Sequence, residues 1–260
     1  MSILAAEDLG ISFGGLKAVD GVGFSVSPGE VFSIIGPNGA GKTTLFNLVS
    51  GVYRASQGRV LLDGKTVTGL EPDALAARGL SRTFQNLQVF TRMTAIENVM
   101  VGRHLRERKS LLADLLRLPS VTRQNAETRA AALDLLVRVG LAGEADAVAS
   151  SLSYGALKRL EIARALAPEP RVLLLDEPAA GCNAVETEEL DRLIRAIADE
   201  GVAVVLVEHD MKLVMKISDR ILVLDRGRPL AEGRPREVRD NPAVIEAYLG
   251  SHGTKEAARA

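Results

Sequence analysis

The stretch Gly36-Pro37-Asn38-Gly39-Ala40-Gly41-Lys42-Thr43 constrains this chain more than any other part of it. It has the spacing G-x-x-x-x-G-K-[ST], comes after an apolar run from Val31 to Ile35, and precedes a helical apolar pattern from Leu45 to Val49. The order is therefore strand, glycine-rich turn, helix. Gly36, Gly39 and Gly41 leave no Cβ in the way, so consecutive backbone N–H groups can converge on phosphate oxygens. The helix after the loop adds its positive end. In such a loop the Lys42 ammonium reaches the β- and γ-phosphates, and the Thr43 hydroxyl binds the magnesium ion that bridges them. A plain turn into a helix would explain the glycines but not Lys42 and Thr43 at their offsets.

A second apolar run, Val172 to Leu175, ends in Asp176 and Glu177. A buried strand that ends this way places Asp176 at the carboxyl edge of a sheet, where it can hold the same magnesium ion through water. Glu177, one residue on, is positioned to orient or deprotonate a water for attack on the γ-phosphorus. Charged strand ends are common, but after a phosphate loop the pair completes a site for a nucleoside triphosphate. Kinases and switch proteins share both motifs, so neither names the reaction.

Composition narrows the classes. The 260 residues carry 32 Lys plus Arg against 33 Asp plus Glu, a formal net charge of -1, so no global field draws the chain to nucleic acid. Only 3% of residues are aromatic and Trp is absent, which disfavours base stacking on rings. The single cysteine, Cys182, excludes an internal disulfide and thiolate zinc clusters and fits a reducing cytoplasm. The opening residues, MSILAAEDLG, do not read as a signal peptide, and no apolar run approaches the roughly 20 residues that span a bilayer.

Along the chain, turn signals at Gly14-Gly15 and Ser27-Pro28-Gly29 predict small antiparallel strands in the first thirty residues. Further strands are expected at Gly58 to Gly64 and Leu80 to Phe84. From Thr94 to Ala167 the pattern is helical, with Pro119 between two helices. Its stripe of Leu105, Leu112, Leu115, Leu116, Leu133, Leu136, Val137 and Leu141 reads as core packing. A strand at Val172 to Leu175, a helix from Ala184 to Glu200, a strand from Val202 to Val207, a helix from Asp210 to Ile217 and a strand from Arg220 to Leu224 imply a mostly parallel α/β sheet. The tail 251–260 is small and polar and reads as frayed.

The segment Ser151-Leu152-Ser153-Tyr154-Gly155, continued by Leu160-Glu161-Ile162-Ala163-Arg164-Ala165, resembles the signature segment of ABC-type ATPases. The resemblance runs from about residue 4 to residue 250. It implies a P-loop ABC ATPase fold: a RecA-like α/β core, an N-terminal antiparallel β-subdomain, and a helical subdomain inserted over about 86–167. It also implies that Ser153 and Gly155 face the γ-phosphate of ATP bound by a second subunit; Ser153 fits an ordinary helix N-cap as well. Gln85 resembles the glutamine that senses magnesium and γ-phosphate, and His209 the switch histidine that contacts the γ-phosphate. Phe13 resembles the aromatic that stacks on adenine, with a core phenylalanine as the equal alternative. With Pro37, Asn38, Ala40 and Thr44, the remaining members of the phosphate loop, these residues make up the expected ATP and Mg2+ site.

Within the family, ISFGGLKAVDGV, the insert after RTFQN, VEHDM and VIEAYLG are most similar to an ATP-binding subunit of bacterial branched-chain amino acid importers. ATPases of urea import and lipopolysaccharide export are close alternatives, and a soluble non-transport ABC ATPase is a more distant one. The implied partners are a second ATPase subunit, either a related chain or a second copy, membrane permease subunits, and indirectly a periplasmic solute-binding protein. The implied location is the cytoplasmic face of the inner membrane. Two positions depart from the family pattern: Ala156 stands where a glutamine is usual, and Asn183 where an aspartate is common.

Overall fold

The computed structural model describes residues 2–84, 87–106 and 119–248. Two compact units divide the chain, one comprising 1–82, 171–178 and 191–260, the other 83–170 and 179–190.

The first unit holds two sheets. Strands β1 (Leu4–Phe13), β2 (Leu16–Val26), β4 (Gln57–Leu62) and β5 (Lys65–Thr66) form an antiparallel sheet in the order β2-β1-β4-β5. β1 and β2 are longer than the turn signals predicted, and register shifts along their pairing mark β-bulges that let ten or more residues follow the twist. Gly58 is required where β4 meets a bulge in β1, because a Cβ there would lie 2.2 Å from the Asp8 carbonyl oxygen.

The second sheet has the order β10-β9-β3-β8-β7-β6, from β10 (Arg228–Gly233), β9 (Arg220–Asp225), β3 (Val31–Ile35), β8 (Ala203–Val207), β7 (Val172–Asp176) and β6 (Leu80–Arg82). All neighbours are parallel except the edge pair β10–β9. Every residue of β3, β7 and β8 is buried, which explains why they read as apolar runs, interrupted only by Ser33 and ended by Asp176, rather than as alternating ones. β6 stops at Arg82, two residues short of the expected end. The helix α1 (Lys42–Val49) begins on the Lys of the phosphate loop, and Leu45, Phe46, Leu48 and Val49 turn inward. On the β9 side, Ile35, Val214, Ile221, Val223, Val238 and Val244 form a separate small core under the chain's last segment.

The second unit is helical: α3 (Ala95–Gly102), α4 (Pro119–Arg138) and α5 (Tyr154–Leu166), after the short α2 (Pro72–Ala76) of the first unit. Thr94 and Glu97 cap α3 reciprocally, each side chain taking the other's N–H. The buried Asn98 takes the N–H of Phe90 and donates to the carbonyls of Phe90 and Thr94, which fixes the loop before the helix. Gly102 permits α3 to meet α5 closely, since a Cβ would lie 2.6 Å from the Arg164 carbonyl oxygen.

The leucine stripe is corrected in part. Leu136 and Leu141 are buried, but Leu133 is 41% and Val137 59% exposed, and Leu105 is also exposed. Helix α4 buries only Thr128, Ala132 and Leu136, a face one residue wide per turn, so the flanking apolar positions remain outside. Leu112, Leu115 and Leu116 lie outside the described residues, as do Gln85 and the tail 251–260. Helix α6 (Ala184–Asp199) runs from the second unit into the first; α7 (Met211–Ile217) and α8 (Pro235–Arg239) follow, and residues 242–248 are also helical. No helix among the described residues is long and apolar enough to cross a membrane.

Candidate nucleotide site

The site is built by strand register. In the parallel sheet Ile34 sits beside Val207, and Val207 sits beside Asp176. The carboxyl ends of β3, β8 and β7 therefore stand in one row. The residues just beyond these strands emerge at the same edge: the loop from Gly36, then Glu208 and His209, then Glu177. Ligands bind at this edge in open α/β sheets.

The loop's glycines are needed for backbone conformation and for packing against the chain's own carbonyls. Gly36, Gly39 and Gly41 all have positive φ, and a Cβ on Gly36 would lie 2.2 Å from the Leu224 carbonyl oxygen, one on Gly41 2.6 Å from that of Ala18. Gly39, by contrast, faces open space. Lys42 Nζ donates to the carbonyls of Gly36 (2.7 Å) and Pro37 (3.1 Å), so the side chain folds back across the loop. Burial holds its ammonium below the usual lysine range, and the nearby Glu177 carboxylate opposes that shift. Gly39, Gly41 and Lys42 line a cleft of about 590 Å³ together with Asn38, Ala40, Thr43, Thr44 and Glu177.

Asp176 is buried, and its Oδ2 lies 3.3 Å from Arg82 Nη2. Arg82 also donates to Asn47 Oδ1 at 2.9 Å and to Ser50 Oγ, and its guanidinium lies over the Phe46 ring. Asp176 is thus tied through Arg82 to the helix that begins on the phosphate loop. Glu177 adopts a left-handed φ of 47° and donates its N–H to the Val207 carbonyl, which turns its side chain out of the strand line. His209 Nδ1 lies 3.8 Å from both Glu177 Oε2 and Glu208 Oε2. The buried Glu208 takes the N–H groups of His209 and Asp210, which fixes the turn that carries the histidine.

Phe13 is 47% exposed and meets the Tyr53 ring edge-on at 5.5 Å, so the core alternative is excluded. In the second unit Ser153 is the N-cap of α5, its Oγ accepting from the Ala156 N–H at 3.2 Å, with Gly155 in the first turn. Ala156 is buried in the first turn of α5.

Sequence reasoning missed several residues. Arg82 carried the one usable signal, a charged side chain on a strand next to an apolar one. Lys17 and Ala18 at the start of β2 and Arg226 and Gly227 in the turn between β9 and β10 line the same cleft, though more than 200 positions separate the two pairs in sequence. Tyr248 lies in the VIEAYLG motif, but its place beside the phosphate loop follows from the tertiary structure. Its phenol is hydrogen-bonded by the Gly36 backbone, and its ring packs on the Ile35 and Val223 cluster.

With this geometry in place, similarity to known proteins decides the family. Residues 19–180 match the family model of the ABC transporter. The chain is 48% identical over 249 residues to the high-affinity branched-chain amino acid transport ATP-binding protein BraF of Pseudomonas aeruginosa, covering 95% of this chain and 98% of that one.

The chain belongs to the ABC transporter family of ATP-binding proteins.

Residues 228–254 of the cassette match a second model, that of the branched-chain amino acid ATP-binding cassette transporter. Among solved structures, the cassette superposes on the ADP conformation of MJ1267, an ATP-binding cassette of an ABC transporter, with TM-score 0.84, 34% identity, and coverage of 96% of this chain and 99% of that one. It also superposes on the dimeric post-hydrolysis state of the cassette MJ0796 bound to ADP and Pi, with TM-score 0.75, 26% identity, and coverage of 90% and 99%. The protein is an ATP-hydrolysing cassette of the nucleotide-binding ABC fold.

Proposed function

We propose that this cassette binds ATP with Mg2+ in the cleft above β3 and β7, and that its hydrolysis powers import of branched-chain amino acids through separate membrane subunits. The observation that carries the reading is the row Ile34, Val207, Asp176, which brings the phosphate loop, Glu177 and His209 to one edge. Gly36, Pro37, Asn38, Gly39, Ala40, Gly41 and Thr44 supply the cradle for the phosphates. Lys42 exchanges its two carbonyl partners for the β- and γ-phosphates, a charge-assisted exchange favoured by its partial burial. Phe13, exposed beside Tyr53, offers its face to adenine.

The donor set suits magnesium. No group of three or more His, Cys, Asp or Glu able to hold a metal occurs among the described residues. The Thr43 hydroxyl and the Asp176 carboxylate would hold such a cation, which would supply positive charge to offset the triphosphate, a hard oxygen donor set of the kind Mg2+ prefers. Gln85 is assigned to the same ion by the family pattern. Glu177 orients the attacking water, and His209 steadies the γ-phosphate from the neighbouring strand. Ser153 and Gly155 act on the nucleotide of a partner cassette, so two chains make two sites. That partner is a second copy or a related ATPase. The amino-acid substrate rests on the likeness to BraF and on the match of residues 228–254. The same reading puts the proposed work of the cassette on the cytoplasmic side of a membrane complex, with a periplasmic binding protein delivering the solute.

The test is Glu177→Gln in the assembled complex. ATP binding persists, a closed pair accumulates, and turnover falls by a factor on the order of 10² or more, the contribution typical of a lost general base. Unchanged turnover in a steady-state ATPase assay would remove Glu177 from its role. Stimulation by leucine added with the binding protein, measured against urea and lipid, tests the substrate.

A further inference from the structure

One carboxylate joins the starts of α5 and α6. Asn183 Oδ1 accepts from the N–H groups of Val185 (2.9 Å) and Glu186 (3.1 Å), and Glu186 Oε2 accepts in return from the Asn183 N–H (2.9 Å). This reciprocal cap uses only one oxygen of Glu186. The other, Oε1, accepts from the Gly155 N–H at 3.2 Å. The approach is close: a Cβ on Gly155 would lie 2.5 Å from that oxygen and 2.6 Å from Glu186 Cδ. Ser153 Oγ takes the next N–H, that of Ala156. An anion of the chain's own therefore sits on the positive end of the 13-residue helix α5, beside its N-cap serine.

We propose that Glu186 is a positioning residue that occupies the Gly155 N–H in the separate chain and must yield it to the γ-phosphate of the partner's ATP when two cassettes close. This rests on the reading that Ser153 and Gly155 face the partner's nucleotide. One N–H donates at full strength to one anion, and a carboxylate left in place would face the incoming phosphate with like charge. Displacing Oε1 loosens Glu186 and with it the Asn183 N–H that Oε2 holds. Asn183 ends the loop that begins after Glu177, so arrival of the partner's phosphate changes how that loop is anchored. The departure at Asn183 fits this arrangement: a neutral amide caps α6 without adding a second negative charge beside Glu186.

The experiment uses the full chain, with ATPase rate measured against ATP and against chain concentration, for wild type, Glu186→Gln and Glu186→Asp. Gln keeps the length and the cap but loses the charge; Asp keeps the charge and an N3 acid but falls a methylene short of Gly155. Both lower the ATP KM at least threefold, with kcat held or raised. A KM unchanged or raised in both variants would overturn the proposal and leave Glu186 as a helix cap. If Glu186→Gln fails to fold, Glu186→Asp alone decides by the same criterion. A wild-type rate per chain that depends neither on chain concentration nor on addition of the related ATPase subunit would instead overturn the reading of Ser153 and Gly155, and this proposal with it.

Discussion

Arg82 shows what one residue contributes when two functions meet in it. Its side chain is 9% exposed and that of Asp176 4%, so the pair lies in a low-dielectric region where each charge needs a counter-charge. Burial lowers the Arg82 pKa, and the Asp176 carboxylate opposes that shift. Arg82→Met, close in volume but neutral, takes this cation away from Asp176. We expect a loss of about 3 kcal/mol or more in urea unfolding, the scale of breaking a buried pair from one side. Adding Asp176→Asn to that variant restores part of the stability, because the buried negative charge is then gone. On the proposed role of Asp176 toward hydrated magnesium, nucleotide-dependent activity is not restored, since an amide is a weaker partner than a carboxylate for a hard cation.

Helix α5 illustrates how an element links parts of a unit. Its buried Glu161 takes the N–H groups of Phe84 and Gln88, both at 3.4 Å, and so ties the chain to α5 at two points four residues apart. Burial raises the Glu161 pKa above 4.5, against the opposing effects of Lys158, the two N–H groups and Arg164. An acid whose folded pKa is raised stabilises the fold most when protonated. Its contribution is full below about pH 4.5 and is lost as pH rises through the elevated folded value. Glu161→Gln keeps the acceptor and removes the titration. Compared by denaturation from pH 4 to pH 8, the variant therefore gains on wild type as pH rises from about 4.5 through the elevated folded value and the difference then levels off; a difference constant over the whole range would show that the carboxyl titrates alike in both states. The exposed Leu133 and Val137 of α4 make the complementary point: helical spacing announced an apolar stripe, but only the neighbours of α4 decide how wide a face is covered.

For the molecule as a whole, the last described segment closes back on the first functional motif. The helical residues 242–248 end in Tyr248, which lies with Val244 on the small core containing Ile35 and reaches the backbone of Gly36. Burial raises the phenol pKa, opposed by that backbone contact. Tyr248→Phe keeps the ring and removes the contact. The expected result is a stability loss of about 1 kcal/mol, the net value of one hydrogen bond, seen as a lower melting temperature. A several-fold rise in the KM for ATP accompanies it, because Gly36 is then held less firmly. A variant that lowers the melting temperature without moving KM would confine Tyr248 to packing.

Local chemistry made much of this protein legible from its sequence. The phosphate loop, the strand ending in Asp176 and Glu177, the capped start of α5 and the alternation of strands and helices each depend on neighbours within a dozen residues, so spacing and side-chain type suffice to recognise them. Phe13 could not be assigned on that basis, because stacking and core packing ask for the same ring and differ only in exposure. Arg82 on Asp176, Glu186 on Gly155, Glu161 on Phe84 and Gln88, and Tyr248 on Gly36 join residues 31 or more positions apart. Such pairs are chosen by register and packing, which bring distant side chains within hydrogen-bonding reach, and the tertiary structure alone decides them.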